Sequence, residues 1–75
     1  MSPLAQIESL LFVSGDEGIT VADLAAATGL LRPAILASLE RLAQRYAADQ
    51  DSALELMVND TTYRLVTKEA AGDLI

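Results

Sequence analysis

The spacing of apolar residues changes period once along this chain, and that change constrains the fold more than any other feature. From Leu4 to Tyr46 apolar residues recur every three or four positions, as on one face of a helix. From Leu54 to Leu65 they recur every second position, as on one face of a strand. Ser2-Pro3 opens the first helix, with serine as cap and proline at the first helical position, where its missing N–H costs nothing. Leu4, Ile7, Leu10 and Leu11 share a face, Ala5, Phe12 and Val13 fall outside it, and Gly15 caps the end within Ser14-Gly15-Asp16-Glu17-Gly18. Ile19-Thr20 begins the second helical unit, with Thr20 as cap and Asp23 three residues on. Val21, Leu24, Ala25 and Thr28 form its inward stripe, Gly29 stops it, and Leu30 enters a tight turn.

The third helix is the longest. Ile35, Leu36, Leu39, Leu42, Ala43 and Tyr46 cover a sector of about 120°, and Ala34, Ala37, Ser38, Arg41, Gln44 and Arg45 lie opposite. Pro33 at the first helical position makes Arg32 the cap, although arginine caps poorly. After the polar stretch Ala48 to Ser52, Leu54, Leu56 and Val58 alternate with polar or outward positions. Asn59-Asp60-Thr61 supplies turn residues, and Thr62 to Thr67 alternates again with Tyr63 and Leu65 on one face and Arg64 and Val66 on the other. Lys68 to Ile75 returns to helical composition and stops without a cap. The expectation is that 1–75 is a single domain forming the N-terminal part of a longer, two-domain protein. The order of elements predicts a mainly α winged helix-turn-helix, three helices plus a two-stranded wing, with the Leu54/Leu56/Val58 face closing one side of the core.

The chain has 75 residues, 52% of them hydrophobic, with neither Cys nor His. Disulfides, Cys/His metal sites and imidazole catalysis are therefore excluded. Gly15-Asp16-Glu17-Gly18 lacks the Gly-Lys-Ser/Thr ending of a phosphate loop. The carboxylates of 49–60 are spaced like parts of a calcium loop but without its glycine and terminal glutamate. Asn59-Asp60-Thr61 matches a glycosylation triplet but reads as a turn in an intracellular chain. No catalytic, cofactor or metal residues are predicted, and the protein is not expected to be an enzyme. Nothing reads as a membrane span or signal peptide, so a soluble cytoplasmic protein is expected.

Five Lys/Arg stand against 11 Asp/Glu, for a net charge of −6. Such a field repels nucleic acid. The fold nonetheless raises the reading of a winged-helix transcription regulator, whose second motif helix would read bases. That half-helix presents Pro33, Ala34, Ala37 and Ser38, of which only Ser38 could bond a base edge. Sequence-specific DNA binding is not expected. Weak phosphate contact through Arg32, Arg41, Arg45, Arg64 and Lys68 stays open. Protein docking is the other reading. Ala5, Phe12 and Val13 on helix one either form a dimer interface or fold under the hairpin or a following segment. The smooth face Ala34, Ala37, Ser38 and Arg41 of helix three would admit a partner closely.

The run Ile7-Glu8-Ser9-Leu10-Leu11-Phe12-Val13-Ser14-Gly15 resembles the opening of the segregation and condensation protein B family. The similarity continues through Leu24-Ala25, Gly29-Leu30, the Leu-rich helix ending in Tyr46, Leu54-Glu55-Leu56 and the wing strand Tyr63-Arg64-Leu65-Val66-Thr67-Lys68. The chain departs from the family at Asp60-Thr61-Thr62, where a Gly-rich wing turn is usual, and at Arg32-Pro33, where acidic residues are usual. The resemblance implies a non-enzymatic condensin accessory subunit that dimerises and binds the kleisin, segregation and condensation protein A. Through the kleisin it would join the SMC ATPase in chromosome condensation and partition, in the cytoplasm at the nucleoid.

Overall fold

The computed structural model describes residues 1–71. α1 (Pro3–Ser14) starts where serine-proline predicts: the Ser2 hydroxyl accepts from the Ala5 N–H at 3.1 Å. Gly15 caps its end, and a single 3₁₀ turn, Gly15–Glu17, carries the chain to Gly18. β1 is the two-residue strand Ile19–Thr20, and α2 spans Val21–Thr28 with the Thr20 hydroxyl accepting from the Asp23 N–H at 3.1 Å. Gly29, left-handed at φ 76°, closes α2 by donating its N–H to the Ala25 carbonyl. The Thr28 hydroxyl donates back to the Leu24 carbonyl and accepts from the Leu30 N–H, which tightens the turn. α3 (Arg32–Ala48) follows at 111° to α2, the crossing of a helix-turn-helix. β2 (Leu54–Asn59) and β3 (Thr62–Thr67) form the hairpin, and α4 begins at Lys68–Ala71. The helical reading of 68–75 is met over those four residues; its last four lie outside the described residues.

Eight side chains make the core: Ile7 and Leu11 from α1, Val21 and Leu24 from α2, and Ile35, Leu39, Leu42 and Tyr46 from α3. Leu4, Leu10, Ile19, Ala25 and Leu30 pack around them, and Leu54, Leu56, Tyr63 and Leu65 cover one side from the sheet. This is the winged arrangement that the change of period predicts, with a helical core and a strand pair leaning on it.

The structure adds one strand and corrects three local readings. The two-stranded wing is present as the β2–β3 hairpin, and β1 extends it by pairing antiparallel with β3, Ile19 with Tyr63 and Thr20 with Thr62, so the sheet has three strands in the order β1-β3-β2. Gly18 allows this contact. Its φ is +72°, and a Cβ there would sit 2.8 Å from the Tyr63 carbonyl and collide with the Thr62 methyl. α3 starts one residue early. Arg32 is its first residue, Pro33 its second, and Leu31 the cap, with no side-chain cap bond. The cap's own carbonyl accepts from Ile35. Val58 does not join the core face; it is exposed, paired with Tyr63 one residue before Asn59 ends the strand at the wing tip. Leu36 is exposed at the edge of the expected sector, whereas Ser38 is buried. The buried side of α3 is turned by roughly 40° from the predicted one. The turn carries it toward the start of α1, with which Ser38 shares a cleft.

The hairpin connection is Asp60-Thr61, with Asp60 left-handed at φ 62°. Aspartate tolerates that conformation better than most residues, so the wing turns tightly without glycine. At its base the Lys68 N–H donates to the Ala53 carbonyl at 2.8 Å. Among the described residues no single helix is long and apolar enough to cross a membrane.

Candidate protein-docking site

The end of α1 leaves two adjacent large apolar side chains uncovered. Phe12 is 76% exposed and Val13 73%. Neither folds under the hairpin. Both line a cleft with Glu8 and Ser9 of α1 and with Leu54 and Leu65 of the sheet. Ala5 lies two turns earlier on the Phe12 side of α1 and is half-buried. The Ser9 hydroxyl donates to the Ala5 carbonyl, which keeps this flank of the helix smooth. Leu54 and Leu65 were expected only as core residues. They are half-buried because they pack on the core and also floor this cleft, a double duty that alternation alone does not reveal.

Glu8 belongs to the same cleft and is held from behind. The Tyr46 hydroxyl donates to its carboxylate, tying α3 to α1. Burial first, and this bond to Glu8 second, push the Tyr46 phenol well above its ordinary pKa, and nearby Arg45 offsets a little of that. Glu8 is thus a fixed acceptor beside an apolar strip. What the strip offers is apolar contact, with an anchored carboxylate and the Ser9 hydroxyl at its border.

A second cleft lies between the start of α1 and the outer side of α3, lined by Ser2, Pro3 and Leu4 on one side and by Ala34, Ala37, Ser38 and Arg41 on the other. Ala34, Ala37 and Arg41 are exposed as expected. Ser38 is not: only 9% of it is exposed, so it cannot stand out to meet a base edge or form part of a flat outer face. It sits at the bottom of the cleft instead.

The five candidate phosphate contacts do not converge. Arg32 lies in a separate cleft with Thr20, Asp60, Thr61 and Tyr63, under the wing. Arg41 borders the α1/α3 cleft, and Arg45 is exposed one turn further along α3. Arg64 is half-buried and donates to the Met57 sulfur at 3.6 Å. Lys68 Nζ donates to the Asp49 carbonyl at 2.9 Å. One apolar feature escaped the periodicity: Leu31, 76% exposed at the start of α3, where it caps the helix rather than packing.

A model of the family described as the segregation and condensation complex subunit ScpB matches residues 5–75. Segregation and condensation protein B of Streptococcus mutans serotype c is 44% identical over 75 residues, which are 100% of this chain and 38% of the relative. The protein of that description from Leuconostoc mesenteroides is 49% identical over the same lengths. This chain therefore spans 38% of the curated relatives it matches. Among solved structures, the crystal structure of a dimer of the ScpB N-terminal domain complexed with an ScpA peptide is similar at a TM-score of 0.81 and 28% identity. The match covers 89% of this chain and 76% of that one.

Proposed function

The chain belongs to the segregation and condensation complex subunit ScpB family, and from that premise we propose that it is a non-enzymatic docking module acting in chromosome condensation and segregation. It pairs with a second copy of itself and receives the kleisin ScpA, which links it to the SMC ATPase at the nucleoid in the cytoplasm. The observation that carries this reading is the exposed pair Phe12 and Val13 beside the Leu54/Leu65 cleft. Large apolar side chains left in water beside a half-buried apolar floor mark an interface rather than a solvated face. An isologous pairing hides each of them twice. The dimer and the ScpA peptide of the related crystal structure support both halves of the proposal.

Sedimentation equilibrium tests it. The wild-type chain should weigh more than 7.9 kDa as concentration rises. Phe12→Glu should remain monomeric with an unchanged circular dichroism spectrum, because Phe12 lies outside the core. A wild type that stays monomeric at high concentration, or a Phe12→Glu chain that dimerises equally well, rejects this surface.

A further inference from the structure

We propose that the second copy pairs through α1 itself: its α1 lies antiparallel against this one, the two helices cross between Glu8 and Ser9, and each Phe12 packs on the partner's Ala5. This rests on the self-pairing reading above and adds its geometry. The argument starts from the order of side chains along α1. Ala5, Glu8, Ser9 and Phe12 stand at i, i+3, i+4 and i+7. They share one side of the helix, turned away from buried Ile7 and Leu11. Rotated by half a turn about the point between Glu8 and Ser9, this stripe meets itself, with position 5 on position 12. A small side chain then lies opposite a large one at both ends. Phe12 is 76% exposed and Ala5 is half-buried, so a ring that stands clear of one helix fills the low place on the other. A parallel pairing lacks this match. It would set Phe12 against Phe12 at one end and leave Ala5 facing Ala5 across a gap at the other.

The centre of the stripe must be thin and free of opposed charge if two helices are to close to about 8–10 Å. Two side-chain bonds make it so. The Ser9 hydroxyl folds onto its own helix and donates to the Ala5 carbonyl at 2.9 Å. Glu8 would otherwise face its own symmetry mate, carboxylate to carboxylate, at a cost. The Tyr46 hydroxyl holds that carboxylate back toward α3, so the same bond that fastens α3 also clears the crossing point. The Met1 sulfur lies 3.7 Å from the Ser9 hydroxyl oxygen and gives the stripe a flexible border that a partner can press aside. On the sheet side Leu54 and Leu65 floor the groove along Phe12 and Val13. The match of position 5 to position 12 is what favours a second copy as occupant, since an unrelated segment gains nothing from it. The related ScpB N-terminal domain is a dimer in its crystal structure.

The chain has no cysteine, so single-cysteine variants read this geometry without background. A residue beside the two-fold axis lies next to its own copy. Ser9→Cys, at an exposed position, should therefore form a disulfide-linked dimer under mild oxidation, seen as a doubled mass in non-reducing electrophoresis. Ala5→Cys should stay unlinked, because the two copies of position 5 lie about 10 Å apart along the helices. Sedimentation equilibrium reads the match of sizes. Ala5→Phe should weaken pairing at least about tenfold, and adding Phe12→Ala to it should restore most of the loss, since large and small have only changed ends. Ala5 and Phe12 lie outside the core, and circular dichroism checks that each variant is folded. A wild type that stays monomeric refutes the self-pairing reading, and this geometry with it. A wild-type dimer in which Ser9→Cys does not link refutes the geometry alone: the copies then meet through another face. Linking of Ala5→Cys as fast as Ser9→Cys means parallel helices and overturns it too. So does a double variant that pairs no better than Ala5→Phe.

Discussion

One phenol fastens the longest helix to the first. Tyr46 is 8% exposed and donates its hydroxyl to Glu8, 38 residues earlier in the chain. Tyr46→Phe removes a bond to a charged acceptor and should cost about 1–2 kcal/mol, since Glu8 keeps access to water. Burial of the phenol, and then this bond, also set a pH dependence. The folded phenol titrates above the unfolded one, whose pKa is about 10. Its contribution is therefore complete below pH about 10. Above that, the unfolded chain sheds this proton first, and stability falls by up to about 1.4 kcal/mol per pH unit. Urea melts between neutral pH and pH 11 should show this extra decline in the wild type and not in Tyr46→Phe. Gly18 is the other critical single residue. Gly18→Ala must hold a side chain at φ +72° against the Tyr63 carbonyl and should cost about 2–4 kcal/mol, read as a lower denaturation midpoint. The sequence marks Tyr46 as inward-facing and Gly18 as part of a turn. It does not show what either touches, because periodicity assigns a side chain to a face and leaves its distant partner unspecified.

At the scale of elements, the phase of α3 decides what the domain buries. The apolar repeat of its sequence places Leu39 at the centre of the buried face, and it is 2% exposed. Leu39→Ala should cost about 2–5 kcal/mol, a large share of the stability of so small a domain. Leu36 belongs to the same repeat yet keeps 37% of its surface exposed against 2% for Leu39, so Leu36→Ala should cost about 1 kcal/mol, clearly less than Leu39→Ala. Thermal melts of the two variants side by side measure the rotation of the helix directly; equal losses would restore the symmetric sector of the sequence. The repeat sets the period and the approximate face. The final turn toward Ser38 brings that side of α3 to the start of α1, and no local pattern in α3 encodes that. β1 was illegible for a related reason. Two residues have no alternation to read, and Ile19–Thr20 becomes a strand only because Gly18 lets β3 approach.

For the whole molecule, the question is whether a fold so often used on DNA is equipped to read it here. Overall charge gives one part of the answer, and that part is plain in the sequence: −6 over 75 residues. The placement of the five cations gives the other, and the sequence conceals it. Arg32, Arg41, Arg45, Arg64 and Lys68 look close enough along the chain to form one patch. In the fold Arg32 turns under the wing beside Asp60, Arg41 borders the α1/α3 cleft, Arg64 bonds Met57, and Lys68 bonds the Asp49 carbonyl. A duplex lying along α3 would meet Ala34 and Ala37 at the positions where bases are read, and Ser38 too deep to reach them. It would meet at most two or three arginines against the repulsion of the remaining surface. Each phosphate contact steepens the salt dependence by somewhat less than one unit of log–log slope, so so few contacts leave weak binding that dilute salt already screens. The expected result is that a 20-bp duplex shows no measurable sequence preference, and that any association seen in low salt is gone at about 150 mM. Fluorescence anisotropy across a salt series, with scrambled duplexes as competitors, measures both. Sub-micromolar, sequence-selective binding at about 150 mM salt would mean that another face gathers the cations, and would return the fold to its DNA-reading role.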